Sequence, residues 1–526
     1  MSSRRGRLGQ VFVFAATASL WSFFLLSAAT QLRADAREAL QKAVALVQEG
    51  RLEEADQQAQ LALSNPQTRA VAYSVLGAIR FQQKRLPESV SLLEKAIHLD
   101  PRLLGAQLSL AEVYSVQGKS EEALAVYRHV LTLDPSNVSA RVALARSETE
   151  KGNYRRSLEL CRPVLPALKQ SPDGLLLLAV DFSRTGDRNA AASLAKDWAG
   201  LADVPQAWSI KFALILAEGE AIPEAIDILE RIKTTATPSY ELAFNLAGLY
   251  LMKSDPVRAL ENYDLALTLN PQSVPALRQA AGIAESSGEL ERSLSYWIRA
   301  KKAEPDNPEI LLSFGRVCLK MDLLEDAEPA LTRAASLRPD DPKYQYTLAA
   351  AKVGKRQFEA AQVLLEGVLK TRESDPQLQY ALGSVLYLQG HLTDAATHLR
   401  ESVRLQPEQL APYYYLALVA RDQGNEAEAI KNLEDLLRRY PDHASSCEAL
   451  GGLLMNARRY SEAETSLEKA VRLNPKSVKA NYQLGLLLAR MGRKAESDKQ
   501  LEVARSLRTE DEATSRLQLR LLDPDQ

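Results

Sequence analysis

The residues able to do chemistry are few, and their spacing does not suit it. Gly118-Lys119-Ser120 has the ending of a phosphate loop, but the first glycine of that motif should stand five residues before Gly118, where Val113 is found. The tripeptide also falls in a turn between two helical patterns, whereas a phosphate loop follows a strand. His391 and His398 are two turns apart on one helical pattern, too far to share an ion unaided. His443 and Cys447 are four residues apart and could share a helix face, but two ligands do not complete a zinc site. There is no H-E-x-x-H and no G-x-S-x-G. These residues predict no catalytic centre, no metal and no cofactor, so the chain is expected to offer surface for binding.

Composition agrees. The 526 residues are 46% hydrophobic and 25% charged, a folded composition and not a disordered one. Lys+Arg 65 against Asp+Glu 67 gives a net charge of −2, which argues against nucleic acid as a partner of the whole chain. Three cysteines exclude a disulfide-dense scaffold.

The first thirty-six residues read as an address. Arg4, Arg5 and Arg7 precede an apolar run from Val11 to Ala29, and Ala34-Asp35-Ala36 follows. A basic end, an apolar middle and a small-residue cleavage site are the order of a secretory signal. The run of 19 residues is also long enough to span a bilayer at about 1.5 Å per residue. Residues 1–36 are therefore either a cleaved signal peptide or an N-terminal membrane anchor, and both readings export the rest to a periplasmic or extracellular face. In the anchor reading the chain is tethered to the membrane by residues 11–29.

The elements that would position any site come from a repeat. From Ala55, every thirty-fourth residue through Ser497 is Ala or Ser. Twelve residues earlier, the series from Ala43 through Gly485 is Ala or Gly throughout. Pro recurs in phase at 101, 135, 271, 305, 339, 407, 441 and 475. A turn lies between the two small positions, often with Gly (Gly50, Gly118, Gly152, Gly288, Gly390, Gly424, Gly492), which ends a helix in the left-handed conformation. Apolar residues on either side recur at helical spacing. Each unit is thus helix A, a turn and helix B. The small residues let the two backbones approach closely, and Pro breaks helix B before the next unit. One hairpin cannot bury its apolar face alone, so the units must stack. On such a stack Cys161, Cys318 and Cys447 lie more than three units apart, beyond the roughly 7 Å limit between disulfide-linked Cα atoms, and should be free thiols.

This pattern resembles the tetratricopeptide repeat family. Leu246, Ala247, Tyr250, Ala259, Tyr263, Ala266 and Pro271 fall at its positions, as do Leu382, Gly383, Gly390, Ala395 and Pro407. The resemblance implies an all-α fold: a right-handed α-solenoid of about fourteen helix–turn–helix repeats over residues 37–511. The family Ala becomes Val164, Trp198 and Ile232 in units four to six, and the closing Pro is missing or displaced, so about 155–238 should pack irregularly. Thr509 with Glu512 forms a capping-box pattern, and Leu517, Leu519, Leu521 and Leu522 follow, so 512–526 should be a capping helix and tail.

In this family the second, fifth, ninth, twelfth and thirteenth residues of each unit face the concave side. Here the fifth position reads Tyr346, Tyr380, Tyr414, Glu448, Tyr482, and Tyr387 joins the tyrosines from a twelfth position. Lys343, Arg421, Lys479 and Arg490 are charged groups at other inward positions. Tyr supplies rigid area with a hydrogen-bonding tip, which suits an extended peptide or a sugar chain, but Tyr at this position also packs against the next helix. The family's clamp for a terminal carboxylate is not intact. The expected function is a non-enzymatic interaction scaffold, exported or membrane-tethered, that binds protein or peptide segments in its groove. The alternative is a cell-envelope export or assembly component that engages polysaccharide or secretion machinery such as a pilus.

Overall fold

The computed structural model describes residues 34–511. The expected signal or anchor over residues 1–33 and the expected cap over 512–526 lie outside the described residues. Ala34-Asp35-Ala36 opens the first helix, Ala34–Gln48. The described residues are helical and hold no strand. They form fourteen helix pairs, from Ala34–Gln48 with Leu52–Ala62 to Val478–Arg490 with Lys494–Asp511. The chain divides into two compact units, Met1–Asn262 and Tyr263–Gln526.

The turn inside each pair shows how local backbone geometry sets the period. A residue with positive φ recurs every thirty-four positions from Gly50 to Gly492. At eight of these positions it is Gly, and at the others it is Lys84, Glu220, Ser254, Asp322, Arg356 or Arg458. The hydrogen bonds are the same in both cases. Gly390 N–H donates to Tyr387 O (3.0 Å) and His391 N–H to Leu386 O (2.9 Å), while Arg458 N–H donates to Met455 O (3.2 Å) and Arg459 N–H to Leu454 O (2.9 Å). This doubly bonded helix ending satisfies the last carbonyls of helix A and reverses the chain. The next pair starts where an Asn, Asp or Ser side chain accepts from the first turn of helix A, as at Asn137, Ser273, Asn307, Asp341, Asp375 and Ser477.

The small residues have the role that their period implies. A Cβ added at Gly77, Gly315, Gly383, Gly451 or Gly485 would come within 2.5–2.8 Å of a leucine side chain on helix B, sixteen residues on. The opposing small position reads Ala or Ser for a related reason. Ser89 Oγ donates to Gly77 O (2.7 Å), Ser293 Oγ to Ala281 O (2.9 Å) and Ser497 Oγ to Gly485 O (2.8 Å). A hydroxyl is tolerated in this closed space because a helix A carbonyl twelve residues back accepts from it.

Within the second unit, from the pair Val274–Ser286 and Leu290–Ala303 onward, each helix A packs on its own helix B and each helix B on the next helix A. Successive A helices from Pro308–Lys320 to Leu410–Asp422 also touch closely, whereas no B helix of this unit approaches the next B helix to the same degree. A row whose A side is the tighter one curves with the A helices on its inner face.

The first unit follows the same plan up to its fourth pair. There helix B, Tyr154–Cys161, has only 8 residues and passes into a 3-10 turn, Arg162–Val164, and a short helix, Leu165–Leu168. Pro163 and Pro166 remove the N–H groups that a continuous helix needs. In the fifth pair helix B, Arg188–Ala199, packs on the next helix B, Ile222–Thr235. Trp198 fills the space at that step, stacked on Phe212 (4.0 Å between ring centroids), with Nε1–H donating to Ser209 Oγ (3.2 Å).

Candidate binding surface

The A helices of the second unit are tied to one another by polar side chains on one face. Arg278 pairs with Glu309 (2.6 Å), and Arg316 and Lys320 both reach back to Glu285 (2.7 and 2.8 Å). Gln377 Nε2–H donates to Tyr346 Oη (3.4 Å). Tyr387 Oη–H donates to Asp422 (2.7 Å) and accepts from Arg421 (3.2 Å), and Arg421 pairs with Asp422 (2.7 Å). Ser477 and Lys479 converge on Glu448 (2.8 and 2.7 Å). Most of these contacts join residues 29–35 positions apart, one repeat along the row.

Aromatic rings cluster in the middle of this face. Tyr415 is the pivot: its ring stands edge-on to Tyr380 (5.8 Å), Tyr387 (5.7 Å) and Tyr414 (5.9 Å), and Tyr414 meets His443 at 5.5 Å. Burial raises the Tyr387 hydroxyl above its ordinary range, and its bond to Asp422 adds to that. Burial raises Tyr346 as well. Arg421 is raised chiefly by its bond to Asp422. Burial pushes the Asp422 carboxyl up, but the bonds from Arg421 and Tyr387 outweigh it and leave it lowered.

The expected site residues separate into three groups. Tyr380 has 0% of its surface exposed and belongs to the core cluster with Leu382, Val385 and Tyr415. The expectation that it offers contact area is corrected: the next helix A supplies Tyr415, which covers it. Tyr346, Tyr387 and Tyr414 are half-buried, and Arg421 is held between Tyr387 and Asp422. Tyr482 is 50% exposed, and Lys343, Lys479 and Arg490 are exposed beside it or along the row. Lys343 lies over the Tyr344 ring at 5.1 Å. Neither Lys343 nor Arg490 has a carboxylate partner among the described residues. Tyr415, Asp422, Gln377 and His443 were not legible as part of this surface. Asp422, at a thirteenth position next to Arg421, and Gln377, at a second position, carried a usable signal in their place in the repeat.

Two of the histidines singled out in the sequence meet neutral polar side chains. His398 Nδ1 meets Gln379 Oε1 (2.7 Å), and His443 Nδ1 meets Ser446 Oγ (2.5 Å). No cluster of three metal-ligating side chains occurs among the described residues. Gly118, with φ 77°, is the left-handed residue of a helix–helix turn. Cys161, Cys318 and Cys447 are free and buried.

Three family models, each described as a tetratricopeptide repeat, match residues 116–180, 346–409 with 448–505, and 413–443. The chain belongs to the tetratricopeptide repeat family. Solved structures similar to this tetratricopeptide repeat chain include the APC/C hetero-tetramer Cut9–Hcn1 (13% identity, TM-score 0.40, covering 97% of this chain and 98% of that one). Yeast Tom70 is another (17% identity, TM-score 0.36, covering 91% and 97%). A third is YrrB, described as a protein of this family with an unusual peptide-binding site (18% identity, TM-score 0.32, covering 36% and 96%). All three scores lie below 0.5. A comparison with curated proteins gives no match. The tetratricopeptide inward positions coincide with the side chains that tie neighbouring A helices together, so the family assignment and the contacts name the same face.

Proposed function

We propose that this tetratricopeptide repeat chain is a non-enzymatic scaffold that holds a segment of a partner polypeptide along the A-helix face between Pro342 and Arg490. The observation that carries this reading is the face itself. Tyr346, Tyr387, Tyr414 and Tyr482 stand on four A helices with polar tips and accessible edges, beside exposed Lys343, Lys479 and Arg490. Rigid aromatic area with adjacent donors suits an extended chain whose backbone needs partners at regular intervals. The apolar run Val11–Ala29 supports export, with the segment either cut or kept as an anchor. No observation favours polysaccharide or secretion machinery as the ligand.

A photocrosslinking residue placed at position 482 of the full chain, in envelope fractions of its host, should capture a discrete polypeptide. The same residue at Val363, exposed on a helix B, is the control. Equal capture from both positions would refute the groove. N-terminal sequencing of the mature protein decides between a cut leader and an anchor.

A further inference from the structure

The inward positions of the second unit, from the repeat that begins with Val274 to the one that ends at Arg490, carry charge unevenly. Their four carboxylates are each paired with a base, and Glu285 is shared by two. Lys343 and Arg490 have no carboxylate within the described residues. The face therefore carries three more positive than negative charges, on a chain whose net charge is −2. Two of the pairs are also layered. Glu285 is 12% exposed beneath Arg316 at 44%, and Glu448 is 15% exposed beneath Lys479 at 58%. In these two pairs the acid lies low and the cationic end projects, whereas Glu309 is 54% exposed beside Arg278 at 43%, and Arg421 and Asp422 are equally exposed.

We infer that this face takes an acidic segment of a polypeptide. The inference rests on the proposed groove and names the chemistry of its occupant. Charge complementarity selects the sign: between Pro342 and Arg490 the inward positions carry Lys343, Arg421, Lys479 and Arg490 against Asp422 and Glu448, and both of these acids are already paired. The spacing selects the polymer. Neighbouring packed helices lie roughly 8–10 Å apart, about three residues of extended chain, and the inward bases stand in alternate repeats of the stretch from Pro342 to Arg490 (Lys343, then Arg421, then Lys479 with Arg490), so acids set several residues apart on one extended segment match them. Nucleic acid carries a charge at about every 1.7 Å of duplex and is matched by dense basic clusters, which this face lacks. On the last A helix, Val478–Arg490, Lys479 and Tyr482 stand one turn apart, so an acid and an apolar side chain of one segment could be met together.

The test is selection of random twelve-residue peptides displayed on phage against the purified full chain. Recovered peptides should be enriched in Asp and Glu over the naive library. A synthetic representative should bind more weakly as salt rises. The double variant Lys343→Glu/Arg490→Glu, with unchanged helical circular dichroism, should lose affinity on the order of tenfold. Recovery of neutral or basic peptides, binding that ignores salt, or an unaffected double variant would overturn the inference and leave the groove standing. Recovery of no peptide would strike the groove itself. Displacement of the acidic peptide by an anionic polysaccharide or single-stranded DNA at equal charge concentration would overturn the polypeptide assignment. Self-association that the double variant abolishes would make a second copy the occupant and overturn it as well.

Discussion

At the scale of single residues, the same amino acid type has opposite roles according to what faces it. Gly315 sits against Leu331, where a Cβ would meet side-chain carbons at 2.5 Å, while Gly282 on the preceding helix A has nothing within 4 Å. Gly315→Ala should cost about 1–3 kcal/mol by overpacking, and Gly282→Ala should stabilise by about 0.5–1 kcal/mol through helix propensity. Urea melts of the two variants check the opposite signs. Arg458 holds the left-handed turn position at φ 60° without being Gly. Arg458→Gly should therefore raise stability by about 0.5–1 kcal/mol in the same assay. The tyrosines divide likewise. Tyr380→Ala empties a fully buried site and should cost about 3–5 kcal/mol, whereas Tyr482→Ala should stay within about 0.5 kcal/mol of the parent. Burial pushes the Cys161 and Cys318 thiols up to about 11. Neither should react with a thiol reagent at pH 8 until denaturant is added, which a timed labelling assay reads directly.

At the scale of elements, the joint between the fourth and fifth pairs holds the one fully buried carboxylate among the described residues. Asp181, on the helix Pro172–Thr185, accepts from Ser157 Oγ (2.5 Å) and Thr149 Oγ1 (2.7 Å). Ser157 is the small helix B position that elsewhere donates to a helix A carbonyl, so a local exchange of partners accompanies the shortened helix Tyr154–Cys161. Cys161, buried on that same helix, has its thiol pushed up chiefly by burial, and the nearby Asp181 carboxylate adds to that. Burial raises the Asp181 carboxyl, and the two hydroxyl bonds only partly oppose this. A carboxyl with a raised folded pKa favours the folded state most below its unfolded value of about 3.9, and that contribution is lost as pH rises through the folded pKa. Asp181→Asn should flatten this slope and stabilise the chain by about 1 kcal/mol at pH 8, with little difference near pH 4. Thermal melts at both pH values check it, and a parallel offset at both would refute the titration.

At the scale of the whole molecule, stability should be a chain of nearest-neighbour terms. Within each unit, helices contact their own pair and the adjoining pairs. A destabilising change such as Gly451→Ala, which presses on Leu467, should therefore loosen amide protection in its own and flanking pairs. Protection in Leu86–Leu99, in the other compact unit, should remain as it was. Hydrogen exchange read by mass spectrometry measures this, and a uniform loss across both units would show a single cooperative block instead.

The thirty-four-residue period, the helix pairs and their order were legible in the sequence because they follow from local sterics. A left-handed turn, a proline break and a small residue facing a leucine sixteen positions on each leave a mark that needs no partner to be seen. The tertiary structure alone decided which inward residues remain available. Tyr380 and Tyr482 occupy the same position of their repeats, and only the presence of Tyr415 beside one of them separates core from surface. Glu448 reads as one more inward charge until Lys479 and Ser477, about thirty residues away, are seen to cover it. Exposure and pairing depend on neighbours contributed by the next repeat, so the linear order of residues specified the frame, and stacking assigned the surface.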